Sequence, residues 1–261
     1  MKIRLRNYFV LLPGLSLFLI TITIPILLSP RDMWDGVAIA FAMEQNNYEG
    51  IFSYFMESNW IFQYPLSILI IELSKLFSLG YKDMNAIFSF ITFVFFLNES
   101  RIFSSKLLRL SKFENTTLIL LISTFPVWGV LFSSIMTFHL FCMFTGLLSI
   151  RLIHSNKVFY GILGFLLLII SFNFQSLLTF LPVLSFVYDK MNSKDTGNKF
   201  LKYFSKKTFL VLLTSLFVYS LLNVFYPPTG LYEDYNSVSV FSVFGFSQIG
   251  ISSILYFTFL I

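Results

Sequence analysis

Apolar runs near the length needed to cross a hydrocarbon core, about 20 residues, recur along this chain of 261 residues. Only 12% of the residues are charged and 56% are hydrophobic, whereas an ordinary soluble domain is about 25% charged. The runs are continuous and lack the ten-residue alternation of barrel strands, so any crossing is made by helices. The chain is therefore expected to be all-α: a polytopic α-helical membrane protein with about seven to eight transmembrane helices.

The net charge of +5 does not point to nucleic acid, because the basic residues fall in short turns between apolar runs, as membrane topology requires. One cysteine, Cys142, excludes an internal disulfide and a cysteine-rich metal site. Lys2, Arg4 and Arg6 precede the first run, residues 8–29, which has no small-residue cleavage site. This reads as a retained first span with a cytoplasmic N-terminus.

Residues 30–60 are the longest polar interruption: Asp32, Asp35, Glu44, Glu49 and Glu57 stand there against one cation, Arg31. Asp35-Gly36 predicts a helix through about Gln45, since Asp is a favoured cap. Asn46-Asn47 breaks it, and Tyr48 to Ser58 predicts a second short helix lying in the membrane surface. Residues 61–79 are long enough to span but contain Gln63, Pro65, Glu72 and Lys75. Charges are costly inside a span, which favours a re-entrant or interfacial helix. If that run does not cross, Arg101, Lys106, Arg109 and Lys112 fall inside, as does every later basic cluster.

The remaining spans are then expected at 84–98, 116–136, 138–150, 158–172, 176–187 and 208–226, alternating inward and outward. Basic turns contain Arg151 with Lys157, and then Lys190, Lys194, Lys199, Lys202, Lys206 and Lys207. The opposite face carries Glu233 and Asp234. The result is a single transmembrane domain over 1–261, with 30–83 as an outer loop. The apolar run from Ile251 is too short to cross by Ile261, so the chain is expected to continue beyond it.

Phosphate-loop, HExxH, CxxC and GxSxG motifs are absent from the sequence, which leaves the outer polar set as the candidate chemistry. Asp32 and Asp35 lie three positions apart, where one can accept a proton or both can hold a divalent cation such as Mg or Mn. Equally, Asp35 can be a plain helix cap and Asp32 a solvated loop charge. His139 at the next outer turn is an acid, a base or a phosphate donor, or simply a helix-end histidine. Asn173 and Gln175 can bind sugar hydroxyls or satisfy backbone groups where two spans meet. Trp34, Trp60, Tyr48, Tyr54 and Tyr64 suit stacking on sugar rings, as they suit an interfacial aromatic belt.

A basic N-terminus, one span and a long outer loop with an early Asp in PRDMWDG open the pattern. A span ending in the basic turn SRIFSSKLLRLSKF follows, and then one with a Pro in STFPVWGVLFSS. This layout, over roughly residues 1–155, resembles the GT-C superfamily of membrane glycosyltransferases. The resemblance implies transfer of sugar from a polyprenyl-linked donor to a glycan acceptor on the outer face of a bacterial inner membrane. It implies that Asp35, with Asp32, is the catalytic base or a metal-linked carboxylate. Arg31, His139, Asn173, Gln175 and Tyr64 are the candidates for substrate contacts, from their residue types and their place on the outer face. Thr137-Phe138-His139 stands where the family often has a second acidic residue, which speaks against a metal-dependent oligosaccharyltransferase mechanism. The Phe-, Ile- and Leu-rich character is also similar to multi-spanning proteins of surface-polysaccharide and O-antigen loci. The alternatives are a flippase or transporter component for lipid-linked oligosaccharides and a non-catalytic membrane scaffold.

Overall fold

A computed structural model describes residues 35–108, 110–123, 136–174, 177–192, 205–227 and 229. Among them, the regular structure is entirely helical: α1 (Asp35–Glu44), α2 (Tyr48–Glu57), α3 (Gln63–Leu76), α4 (Tyr81–Leu107), α5 (Lys112–Ser123), α6 (Met136–Ile153), α7 (Val158–Ser171), α8 (Leu177–Asn192) and α9 (Lys206–Phe225). The all-α expectation holds for these residues.

Three short helices form one layer. Each ends in the same way, because the residue two places beyond it takes a left-handed backbone: Asn46 (φ 54°), Asn59 (φ 61°) and Ser78 (φ 53°). The amide of the next residue reaches back five positions, as in Trp60 N to Phe55 O at 2.8 Å and Asn47 N to Ala42 O at 2.9 Å. These paired bonds satisfy carbonyls that a helix end otherwise leaves open. Asn tolerates the left-handed region better than most residues, so Asn46-Asn47 breaks the helix where expected. The Asn47 side chain then caps α2 by accepting from Gly50 N. At 14 residues, α3 extends about 21 Å, short of a ~30 Å core.

The longer helices form the bundle. Two parallel helices, α4 and α6, are tied near their starts by Asn85 Nδ2 donating to Thr137 Oγ1 at 3.2 Å. Near their other ends they are tied by Arg151 and Glu99. The last helix runs the other way. Lys207 at its start donates to Ser155 O, and Thr229, just past its end, donates to Glu57 O at 3.1 Å. Its 20 residues cover about 30 Å.

Small residues set the spacing. A Cβ on Gly164 of α7 would meet the Ile153 backbone N at 2.8 Å, and one on Gly146 of α6 would meet Leu181 Cδ1 at 3.0 Å. The interior holds Phe93, Leu140, Ile150, Leu168, Phe172, Leu181 and Val211, interleaved with buried Ser89, Thr145, Ser149, Ser171, Ser185 and Ser215. Buried Cys142 donates to Ile170 O across α6 and α7. Large side chains are turned outward, among them Val158 (80% exposed), Phe159, Leu216, Phe217, Val224 and Phe225.

One sequence expectation needs correction. The span expected at 84–98 belongs to a helix that continues to Leu107, with Arg101 and Lys106 inside it rather than in a turn. Among the described residues, one helix, Tyr81–Leu107, is both long and apolar enough to cross a membrane; Thr137–Ile153 and Val158–Ser171 are apolar but shorter.

Candidate functional site

The bundle has an acidic end and a basic end, and polar side chains gather at both. At the acidic end, the turn between α2 and α3 runs against the start of α6 and the end of α7. Trp60 packs edge-on to His139, ring centres 5.2 Å apart, and His139 meets Phe174 in the same manner at 4.6 Å. Asn173 Oδ1 accepts from Phe62 N at 3.3 Å, joining the α7 end to the turn. His139 and Asn173, both expected from sequence, are thus brought to one place.

Around this joint lie buried groups that sequence reasoning missed. Ser58, Asn59 and Gln63 are 2%, 1% and 2% exposed, and Asn173 is 1% exposed. Ser58 Oγ, both amide atoms of Asn59, both of Gln63 and Nδ2 of Asn173 have no hydrogen-bond partner among the described residues. A buried polar group left so costs about 1–3 kcal/mol, and native structures keep few of them. The only sequence signal was an uncharged polar cluster, SNWIFQ, inside an aromatic stretch.

The other expected residues are distributed differently. Tyr64 lies on α3 with its ring against Phe52, centres 5.1 Å apart. Asp35 is the first residue of α1. Asp32, Arg31 and Gln175 lie outside the described residues, so the proposed Asp32–Asp35 metal pair does too; no metal-ligating cluster occurs among those described. The described lysines of this end, Lys75 and Lys82, are engaged. Lys75 binds Glu72 at 2.9 Å as well as the Tyr48 hydroxyl, and Lys82 faces Glu44 at 3.7 Å. The Tyr48 hydroxyl, donating at 2.6 Å, and then Lys75 hold the Glu72 carboxyl below its usual range.

The basic end is organised around His154. Its Nδ1 lies 2.8 Å from Ile150 O, and its Nε2 lies 3.0 Å from Asp189 Oδ1, an ion contact at an angle outside hydrogen-bond geometry. Asp189 Oδ2 accepts from Ser205 and Thr208 at the start of α9. Burial raises the Asp189 carboxyl, but the contact with His154 and the two hydroxyl bonds outweigh it and leave it below the usual range. Lys106 donates to Tyr188, whose ring lies 4.8 Å from His154. An open cleft of about 480 Å³ is lined by His154, Tyr188, Asp189, Ser205, Lys206 and Lys207. Serine and histidine both approach the carboxylate here, so the histidine does not activate Ser205 as it would in a nucleophilic triad.

No family model, curated protein or solved structure matches the chain.

Proposed function

We propose that the chain is a polytopic membrane protein that transfers sugar from a polyprenyl-linked donor, as a glycosyltransferase or polysaccharide polymerase of bacterial surface glycans. The observation that carries this reading is the buried, uncharged polar cluster at the acidic end, next to His139 and Trp60. It lies beside helices whose outward faces are apolar and whose interior interleaves Phe, Leu and Ile with buried Ser, Thr and Gly. Small residues between helices and large apolar ones outside are what lipid-embedded bundles use, because lipid supplies no hydrophobic force between helices. Lys106, Arg151, Lys157, Lys190, Lys206 and Lys207 collect at one end, which by the positive-inside rule supports a cytoplasmic position for it. The acidic end then faces outward.

In this reading α1 brings Asp35 to the outer face. A sugar hydroxyl is a weak nucleophile until a base takes its proton in the transition state, and Asp35, with Asp32 nearby in sequence, is assigned that work. A divalent cation held by the same carboxylates would neutralise the phosphate leaving group, since Lys75 and Lys82 are engaged with glutamates. A transporter of lipid-linked sugars is the second reading. The buried Glu99–Arg151 pair favours it, because transporters keep ionisable groups within their spans. The pair is closed on itself and stands toward the basic end, which places it with the scaffold.

The test is surface-glycan analysis of a deletion strain complemented with wild-type, Asp32→Asn or Asp35→Asn protein at matched membrane abundance. Shortened or absent glycan is expected with Asp35→Asn; full-length glycan from both variants would remove the catalytic assignment.

A further inference from the structure

We infer that Ser58, Asn59, Gln63 and Asn173 form a binding site for a neutral, hydroxyl-rich ligand, a sugar ring, at the joint between the α2–α3 turn and the end of α7. The inference rests on the glycan-handling reading above and names the part of the chain that grips the sugar. Six side-chain atoms there are shut from solvent and unpaired among the described residues. They include amide nitrogens that donate and amide oxygens that accept. Sugar hydroxyls do both at once, so such a mixture matches them without any net charge. An anionic group would instead call for a free cation, and among the described residues of this end Lys75 and Lys82 are held by Glu72 and Glu44.

The geometry is arranged rather than incidental. Asn173 Oδ1 is fixed by the Phe62 amide, which orients its Nδ2 and leaves that donor unspent. Asn59 takes the left-handed backbone that ends α2, at φ 61°, a position Asn fills readily, and both of its amide atoms are shut from solvent. Trp60, in the same turn, packs edge-on against His139, which closes the apolar side of the cluster. Because the polar atoms are covered, entry of the ligand requires the 58–62 turn to shift.

The experiment uses the full chain purified in detergent, with Asn59→Gly, Gln63→Met and Asp35→Asn variants. The probes are the methyl glycosides of glucose, galactose, mannose, rhamnose and N-acetylglucosamine, followed by saturation-transfer NMR. Wild-type protein is expected to bind at least one glycoside. Asn59→Gly and Gln63→Met should each weaken that binding about ten-fold, the loss of one well-made hydrogen-bonding side chain. Both should melt at or above the wild-type temperature, because each removes an unpaired buried group. No glycoside bound by wild type, or binding undiminished in both variants, overturns the site, as does marked destabilisation of both, which would mean the amides serve the fold through buried water. Glycoside binding is expected to survive Asp35→Asn. If binding holds while Asp35→Asn still makes full-length glycan, the catalytic reading fails and the sugar site stands.

Discussion

Arg151 grips Glu99 through two parallel bonds, Nε to Oε2 and Nη2 to Oε1, each 2.8 Å long. The carboxylate side chain is 5% exposed and the guanidinium 34%. The pair fastens α4 to α6 some four turns in from the Asn85–Thr137 contact, so the two helices are held at two heights.

Removing one partner leaves a charge without its counterpart. Arg151→Met is expected to destabilise the protein by about 2–4 kcal/mol, below the ~3–5 kcal/mol of fully buried pairs because the guanidinium is partly solvated. Adding Glu99→Leu to that variant should recover most of the loss, since apolar replacement of both partners is often close to neutral. Thermal unfolding of wild type and the two variants in one detergent checks this; a double variant no better than Arg151→Met would show that the helices need the charges themselves.

Acid sensitivity follows from Asp189. Its carboxyl lies below the ordinary value of 3.8 in the folded protein, so its contribution is fully present above that value. The contribution is lost as the pH falls through the lower folded value. Unfolding temperature measured down to strongly acidic pH should fall more steeply for wild type than for Asp189→Asn. Parallel curves would remove Asp189 as the source.

Two glycines of α7 have opposite expected responses to alanine. Gly164→Ala drives a methyl into the Ile153 backbone at 2.8 Å, and should cost about 1–3 kcal/mol as α6 and α7 are pushed apart. A Cβ on Gly161 meets nothing within 4 Å, so Gly161→Ala should stabilise by about 0.5–1 kcal/mol through backbone entropy alone. Unfolding midpoints that move in the same direction would contradict the packing described here.

Ser78 occupies a left-handed turn at φ 53° with an exposed side chain. Ser78→Gly is expected to raise stability by about 1 kcal/mol by relieving that conformation. The corresponding gain in unfolding temperature is the measurement; a loss would mean that the hydroxyl holds the α3–α4 joint.

The short helices were legible because their signals are local. Asn46-Asn47 marks the end of α1, and the charges of Glu72 and Lys75 argued against a full crossing by α3, which is too short for one. The length of α4 was not legible. Arg, Ser and Lys continue a helix comfortably, so Arg101 and Lys106 gave no stop signal even though they marked a change of surroundings. Nor could Glu99 be seen as buried, because its partner stands fifty-two residues away. His139 and Asn173 stood out as polar residues at the ends of apolar runs. Ser58, Asn59 and Gln63 did not, since burial and the lack of a partner arise only when α6 and α7 close over the turn.

Cys142 is the chain's one thiol and is buried between α6 and α7. The natural protein is therefore already a silent background for site-directed labelling. A cysteine placed at exposed Glu49 or at exposed Lys157 would report alone to a membrane-impermeant maleimide. Intact spheroplasts labelled only at the first position, and broken ones at both, would fix which way the two ends of the bundle point.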